Sequence, residues 1–302
     1  MGVFIYPYYT FLYVGGDYVK KRIVPYMFIL PAMVLLIIFK IYPIFIAIIG
    51  SLFDSGFGGS KAFVGIANYV RLFKDGVFWQ SLKVTLLFNI FVNPIQIALA
   101  LFMALLVNEQ VKGINIFRSV YYVPVAISMT VAAVIWGIML NPNSGIVNSF
   151  LGIFGISPQP FLTSQRQALP SIIAITSWKG VPYWMMFLLA GLQGIPKSIY
   201  EAAKIDGCNK LNTIFKITIP LLKRSLAFVV ISDTITNLLL FSPMYILTNG
   251  GPNMSTNVLM YEAYKSAFSY MDMGRAYSMI TILLILIFIV VGMQTRLLKA
   301  DY

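Results

Sequence analysis

The sequence predicts an all-α membrane protein with six transmembrane helices. Three observations carry this. The chain of 302 residues is 59% hydrophobic and only 11% charged, whereas soluble domains carry about 25% charged residues. Six apolar stretches reach the roughly 20 residues that a helix needs to cross a bilayer. Runs such as residues 280–291 do not alternate apolar and polar. A closed β-barrel, the other spanning solution, would require that alternation.

The spans are expected at residues 24–52, 82–107, 119–140, 169–192, 225–247 and 276–297. The first follows Lys20-Lys21-Arg22. It exceeds the apolar core of about 7–15 residues in a secretory signal and lacks a small-x-small cleavage site, so it reads as an uncleaved signal-anchor. Residues 1–23 form an N-terminal cytosolic or interfacial segment rich in Tyr6, Tyr8, Tyr9, Phe11 and Tyr13, and residues 24–302 form one transmembrane domain. With the N-terminus in the cytosol, 13 of the 22 Lys and Arg fall on inside segments and 7 on outside ones, including Lys61, while Lys40 and Lys179 lie within spans. Loops enriched in Lys and Arg stay cytosolic, so both termini are expected inside. The formal charge of +12 is therefore a topology signal, not a nucleic-acid footprint. The longest outside loops, 53–81, 141–168 and 248–275, are too short for a separate solute-capturing domain.

Composition also excludes chemistry. The chain has no histidine and one cysteine, Cys208. That rules out an internal disulfide, Cys/His metal sites and histidine-based catalysis. No G-x-x-x-x-G-K-[ST] phosphate loop occurs. We expect no catalytic residue, no metal and no cofactor in this chain, and an energy source elsewhere. Ala98, Ala100 and Ala104 suggest a small-residue packing face on the second span.

The polar loop 193–224 is the most ordered non-membrane stretch. Ser198 with Glu201 three residues later reads as a capping box, starting a helix over 199–205 that Asp206-Gly207 stops. A second short helix over 210–218 precedes Pro220, which opens the fifth span. Ala202 and Ala203 leave a small face that a partner can approach closely. The alternative is an amphipathic helix resting on lipid.

Tyr200-Glu201-Ala202-Ala203-x3-Gly207-x9-Ile217-x-Ile219-Pro220 resembles the EAA loop of permease subunits of binding-protein-dependent ABC importers, with Ile219 where leucine is usual. Leu247-Thr248-Asn249-Gly250-Gly251-Pro252, Trp178-Lys179-Gly180 and Ala190-Gly191-Leu192-Gln193-Gly194-Ile195-Pro196 resemble the MalF-type subunit of carbohydrate importers. The resemblance covers roughly residues 20–300. It implies a MalF-like type I importer fold in a bacterial inner membrane. It implies as partners a second homologous permease, two cytosolic ATPases that bind ATP and Mg, and a periplasmic or extracellular solute-binding protein, all among membrane lipid. Glu201, Ala202, Ala203, Asp206, Gly207 and Pro220 would form the helix that couples to the ATPase. Alternating access would then move the solute.

Charges inside spans usually face a cavity or a partner. Lys40, near Pro43, reads as snorkelling to an interface. Asp233, Thr236, Asn237 and Leu240 share one helical face at i, i+3, i+4 and i+7, and Gly180 and Tyr183 follow Lys179 on the fourth span. These positions match those lining the sugar path in the resembled family. Lys179 and Asp233 depart from its neutral pattern. They are read either as an ion pair or as solute contacts, Lys179 then suiting a carboxylated sugar such as a uronate oligomer of the alginate kind. The competing function is an ion-coupled secondary transporter. It calls for Gly/Pro-broken helices in both halves, which the sequence does not display. A non-sugar solute is the other alternative.

Overall fold

The computed structural model describes residues 16–54, 62–108 and 113–298, apart from the side chains of 16–23 and Asn115. The N-terminal aromatics and Lys61, Lys112 and Lys299 lie outside the described residues. The chain divides into two compact units between Ile49 and Gly50.

The first unit is α1 (Gly16–Leu36), a π-helical turn (Ile37–Ile41) and the start of α2 (Tyr42–Gly50). Helix therefore begins before residue 24, inside the expected N-terminal segment. The wide turn carries Lys40 and stands two residues before Pro43. The Tyr42 amide reaches back five residues to the Ile37 carbonyl. A prolyl ring lacks an N–H and clashes with the preceding turn, and a wider turn accommodates both faults.

The second unit opens with a two-residue ladder, β1 (Phe53–Asp54) against β2 (Ala62–Phe63), and the short helix α3 (Ala67–Phe73). Then follow α4 (Gly76–Val107), α5 (Ile114–Ala126), α6 (Met129–Met139), α7 (Ile146–Ile153) and α8 (Ala168–Gln193). The inter-span loop holds α9 (Lys197–Ile205), α10 (Lys210–Thr213), a second π-turn (Ile214–Thr218) and α11 (Ile219–Leu221). The described residues close with α12 (Lys223–Leu238), α13 (Ser242–Thr248), α14 (Leu259–Phe268) and α15 (Met273–Leu297).

Among the described residues, four helices are long and apolar enough to cross a membrane: Val24–Gly50, α4, α8 and α15. Two further spans are bent pairs, Ile116–Ala126 with α6 at 96° and α12 with α13 at 44°. Counting each pair once gives the six expected spans. The breaks were not expected. Proline supplies the reason. Pro124 weakens the last turn of α5, and Ser128 then caps α6 by accepting from the Val131 amide at 3.2 Å. Pro243 forces a new helix start in α13.

The core lies between α4, α8 and α12. Ala100, Ala104, Trp184, Met185, Leu188 and Val229 are buried together. Ala98 is exposed, so the packing face runs through Ala100 and Ala104 and not through Ala98. A charged clamp ties the far ends of three helices. Fully buried Glu262 on α14 meets Arg275 of α15 at 3.2 Å and Lys265 at 2.7 Å, and Arg275 also meets Asp75, the α4 cap, at 2.7 Å. Each charge is paired, as burial requires.

Candidate functional site

Two places gather the expected functional residues. The first is the loop around α9. Its helix begins at Lys197 with Pro196 at the cap and no side-chain cap bond. The capping box does not form, because the helix starts two residues earlier than expected and places Ser198 inside its first turn. The stop is made by the backbone. The Gly207 amide donates to the Lys204 carbonyl at 3.1 Å and the Cys208 amide to the Ala203 carbonyl at 2.9 Å. Gly207 sits at φ +73°, with nothing within 4 Å of where a Cβ would stand. This is the Schellman closure, which needs a left-handed residue just past the helix. Glycine is thus required by dihedral angle and not by crowding.

The helix presents Glu201, Ala202, Lys204, Ile205 and Asp206 to the outside, and Ile205 is 86% exposed. Ala203 faces inward at 4% exposure, so the open small face is Ala202 alone. Tyr200 ties α9 to the second π-turn through the Thr218 hydroxyl at 3.4 Å. Pro220 does not open the span. The helical run starts at Lys210 and passes through the π-turn and α11 before the true break at Leu222. As before Pro43, the residue ahead of the proline, Ile219, donates back five residues to Ile214.

The second place is a cavity of about 410 Å³ among α4, α5, α6, α8 and α12. Lys179, Gly180, Tyr183, Asp233, Thr236, Asn237 and Leu240 all line it. Gly180 lets α8 approach α4, since a Cβ there would stand 3.0 Å from the Gln96 amide. Lys179 and Asp233 form no ion pair. The Lys179 ammonium donates to the Pro124, Val125 and Ile127 carbonyls at 3.2, 3.4 and 2.6 Å. Those carbonyls end α5, where no helical donor follows and a cation is favoured by the helix dipole. Asp233 is 1% exposed and its Oδ1 accepts from Asn237 Nδ2 at 3.0 Å. The Trp184 side chain lies beside it, but Oδ2 completes no hydrogen bond.

Asn237 Nδ2 is shared further, with Asn93 Oδ1 at 2.8 Å and Gln96 Oε1 at 3.2 Å. Asn93 and Gln294 both donate to the Thr234 hydroxyl, at 3.2 and 2.9 Å. Sequence reasoning passed over Asn93 and Gln96. Asn89, Asn93 and Gln96 share one face of an apolar span, and buried amides in a span signal a polar interior. Pro94, Pro124 and Pro182 stand one or two residues from the cavity residues Gln96, Val125 and Tyr183.

Residues 96–300 match the family described as the inner membrane component of binding-protein-dependent transport systems. A probable ABC transporter permease, YurN of Bacillus subtilis, is 36% identical over 286 residues, covering 93% of this chain and 97% of that protein. The trehalose/maltose transport system permease MalF of Thermococcus litoralis is 35% identical over 282 residues, covering 91% and 94%. The sn-glycerol-3-phosphate permease UgpA of Agrobacterium fabrum is 31% identical over 281 residues, covering 92% and 96%. The fold is shared with a chain of a bacterial alginate ABC transporter solved with a periplasmic protein bound to alginate pentasaccharide. The TM-score is 0.78 at 22% identity, covering 95% of this chain and 99% of that one. The chain belongs to the family of inner membrane components of binding-protein-dependent transport systems, the permease subunits of ABC importers.

Proposed function

We propose that this permease forms half of a saccharide pathway, pairs with a homologous second permease, and is driven through α9 by cytosolic ATPases. A solute-binding protein delivers the cargo from outside, and both termini lie in the cytosol. The observation that carries the reading is the exposed, backbone-closed helix α9 in a cation-rich loop. A helix held so firmly while presenting Glu201, Ala202 and Ile205 outward is built to dock. The saccharide assignment draws on the MalF relative and on the cavity, where Asp233 and Asn237 can meet hydroxyl groups and Tyr183 offers a ring face.

In the resulting mechanism the chain contributes transmission and solute contact. Closure of the ATPases displaces α9. The Tyr200–Thr218 contact and the short run through α11 carry that displacement to α12, which bears Asp233 and Asn237 on the cavity wall. The decisive experiment introduces Glu201→Lys and Gly207→Asp separately into the complete importer. Loss of ATPase co-purification and of uptake is expected. Uptake that survives both changes and follows the proton gradient would establish ion-coupled transport instead.

A further inference from the structure

A second hollow, of about 340 Å³, lies behind α9 and shares no lining residue with the cavity among α4, α5, α6, α8 and α12. Tyr200, Lys204 and Cys208 stand on one wall at i, i+4 and i+8. Lys210 stands on the other, at the start of the helical run beyond Gly207. The two lysines bring two positive charges, and no Asp or Glu lines the hollow among the described residues. Neither lysine takes part in an ion pair among those residues. Like charges around one small space repel, more so with less water between them. The Tyr200 hydroxyl and the Asn108 amide add neutral donors. Leu105, Leu192 and Ile214, from α4, α8 and the second π-turn, make the remaining surface apolar.

The volume is at the low end of ligand pockets, about 300–1,000 Å³. It suits one strongly charged group on a small body. A phosphate monoester meets each demand. It carries nearly two negative charges at neutral pH, offers three oxygens to ammonium and hydroxyl donors, and brings carbon to the apolar wall. A carboxylate or a phosphodiester carries only one charge. We propose that the hollow behind α9 is a binding site for a phosphate monoester, held between Lys204 and Lys210. Glu201, Ala202 and Ile205 do not line it, so an occupant leaves the proposed docking face free while tying α9 to the ends of α4 and α8. The group can arrive free in solution or as the headgroup of phosphatidic acid.

The test uses the complete importer in phosphatidylcholine nanodiscs. Cys208 lines the hollow and is the only cysteine of this chain. Its modification by N-ethylmaleimide, followed by mass spectrometry of its peptide, therefore reports occupancy. Glucose 6-phosphate at about ten times its dissociation constant should slow the reaction about tenfold, since only the empty fraction reacts. Glucose should leave the rate unchanged. Lys204→Gln combined with Lys210→Gln should abolish the protection, with the rate in the absence of probe unaltered. Lys216→Gln, whose lysine does not line the hollow, should keep it. Slowing by phosphatidic acid in the nanodisc, but not by glucose 6-phosphate or by the diester phosphatidylglycerol, would assign the monoester to lipid. An unchanged rate with both monoesters would overturn the inference, as would protection that survives the double lysine change.

Discussion

The α9 loop and the cavity are held by opposite means. The loop is local. Its helix, its stop and its left-handed glycine are fixed by bonds within six residues. The cavity is tertiary. Lys179 reaches carbonyls 52 to 55 residues away, and Asn237 reaches amides 141 to 144 residues away. A locally closed element can move as a unit while keeping its shape. A cavity assembled from four distant stretches changes whenever any of them moves. The roles proposed for them, transmission and solute contact, need just these two behaviours.

The contrast can be strained from its largest effect downward. Lys179→Met removes the partner of three carbonyls and should destabilise the protein by about 3 kcal/mol, read as a fall in the melting temperature of the purified importer. An unchanged melting temperature would mean the break in the third span stands without it. Ala100→Leu pushes a larger side chain into the fully buried contact among α4, α8 and α12, at a cost of about 2 kcal/mol in the same assay. Gly207→Ala puts a Cβ at φ +73° for about 1 kcal/mol. Its effect should stay in the loop, as faster amide exchange at Cys208 with the melting temperature nearly unmoved. Gly207→Asn should recover part of it, since asparagine tolerates the left-handed region. Ala98→Leu, on the exposed side of the same helix turn as Ala100, should change stability by less than about 0.5 kcal/mol. A large effect there would place a partner surface on that side.

The same contrast explains what could be read from the chain. Hydropathy located the spans, because length and apolarity are properties of each stretch alone. The Glu201–Pro220 spacing located the loop, because its geometry is written in neighbouring residues. The shared face of Asp233, Thr236, Asn237 and Leu240 was legible for the same reason. The partner of Lys179 was not. Two opposite charges in adjacent spans suggest each other, and nothing in the sequence shows that the third span breaks beside one of them. Pro124 followed by Ser128 was the available signal, a helix-weakening residue and then a cap. It was masked by hydropathy that runs unbroken across the bend. The capping box failed for a smaller reason: Ser198 and Glu201 have the right spacing but lie two residues too far into the helix.

The closure of α9 by its own backbone has a further consequence, for exchange. A nine-residue helix whose stop is made by bonds from Gly207 and Cys208 back to Lys204 and Ala203 carries its terminus with it. Residues 197–208 carry their own shape, so grafted into the equivalent loop of another permease of this kind the segment would keep its outline, and under the proposed docking role the recipient would take on the donor's ATPase preference with its spans unchanged.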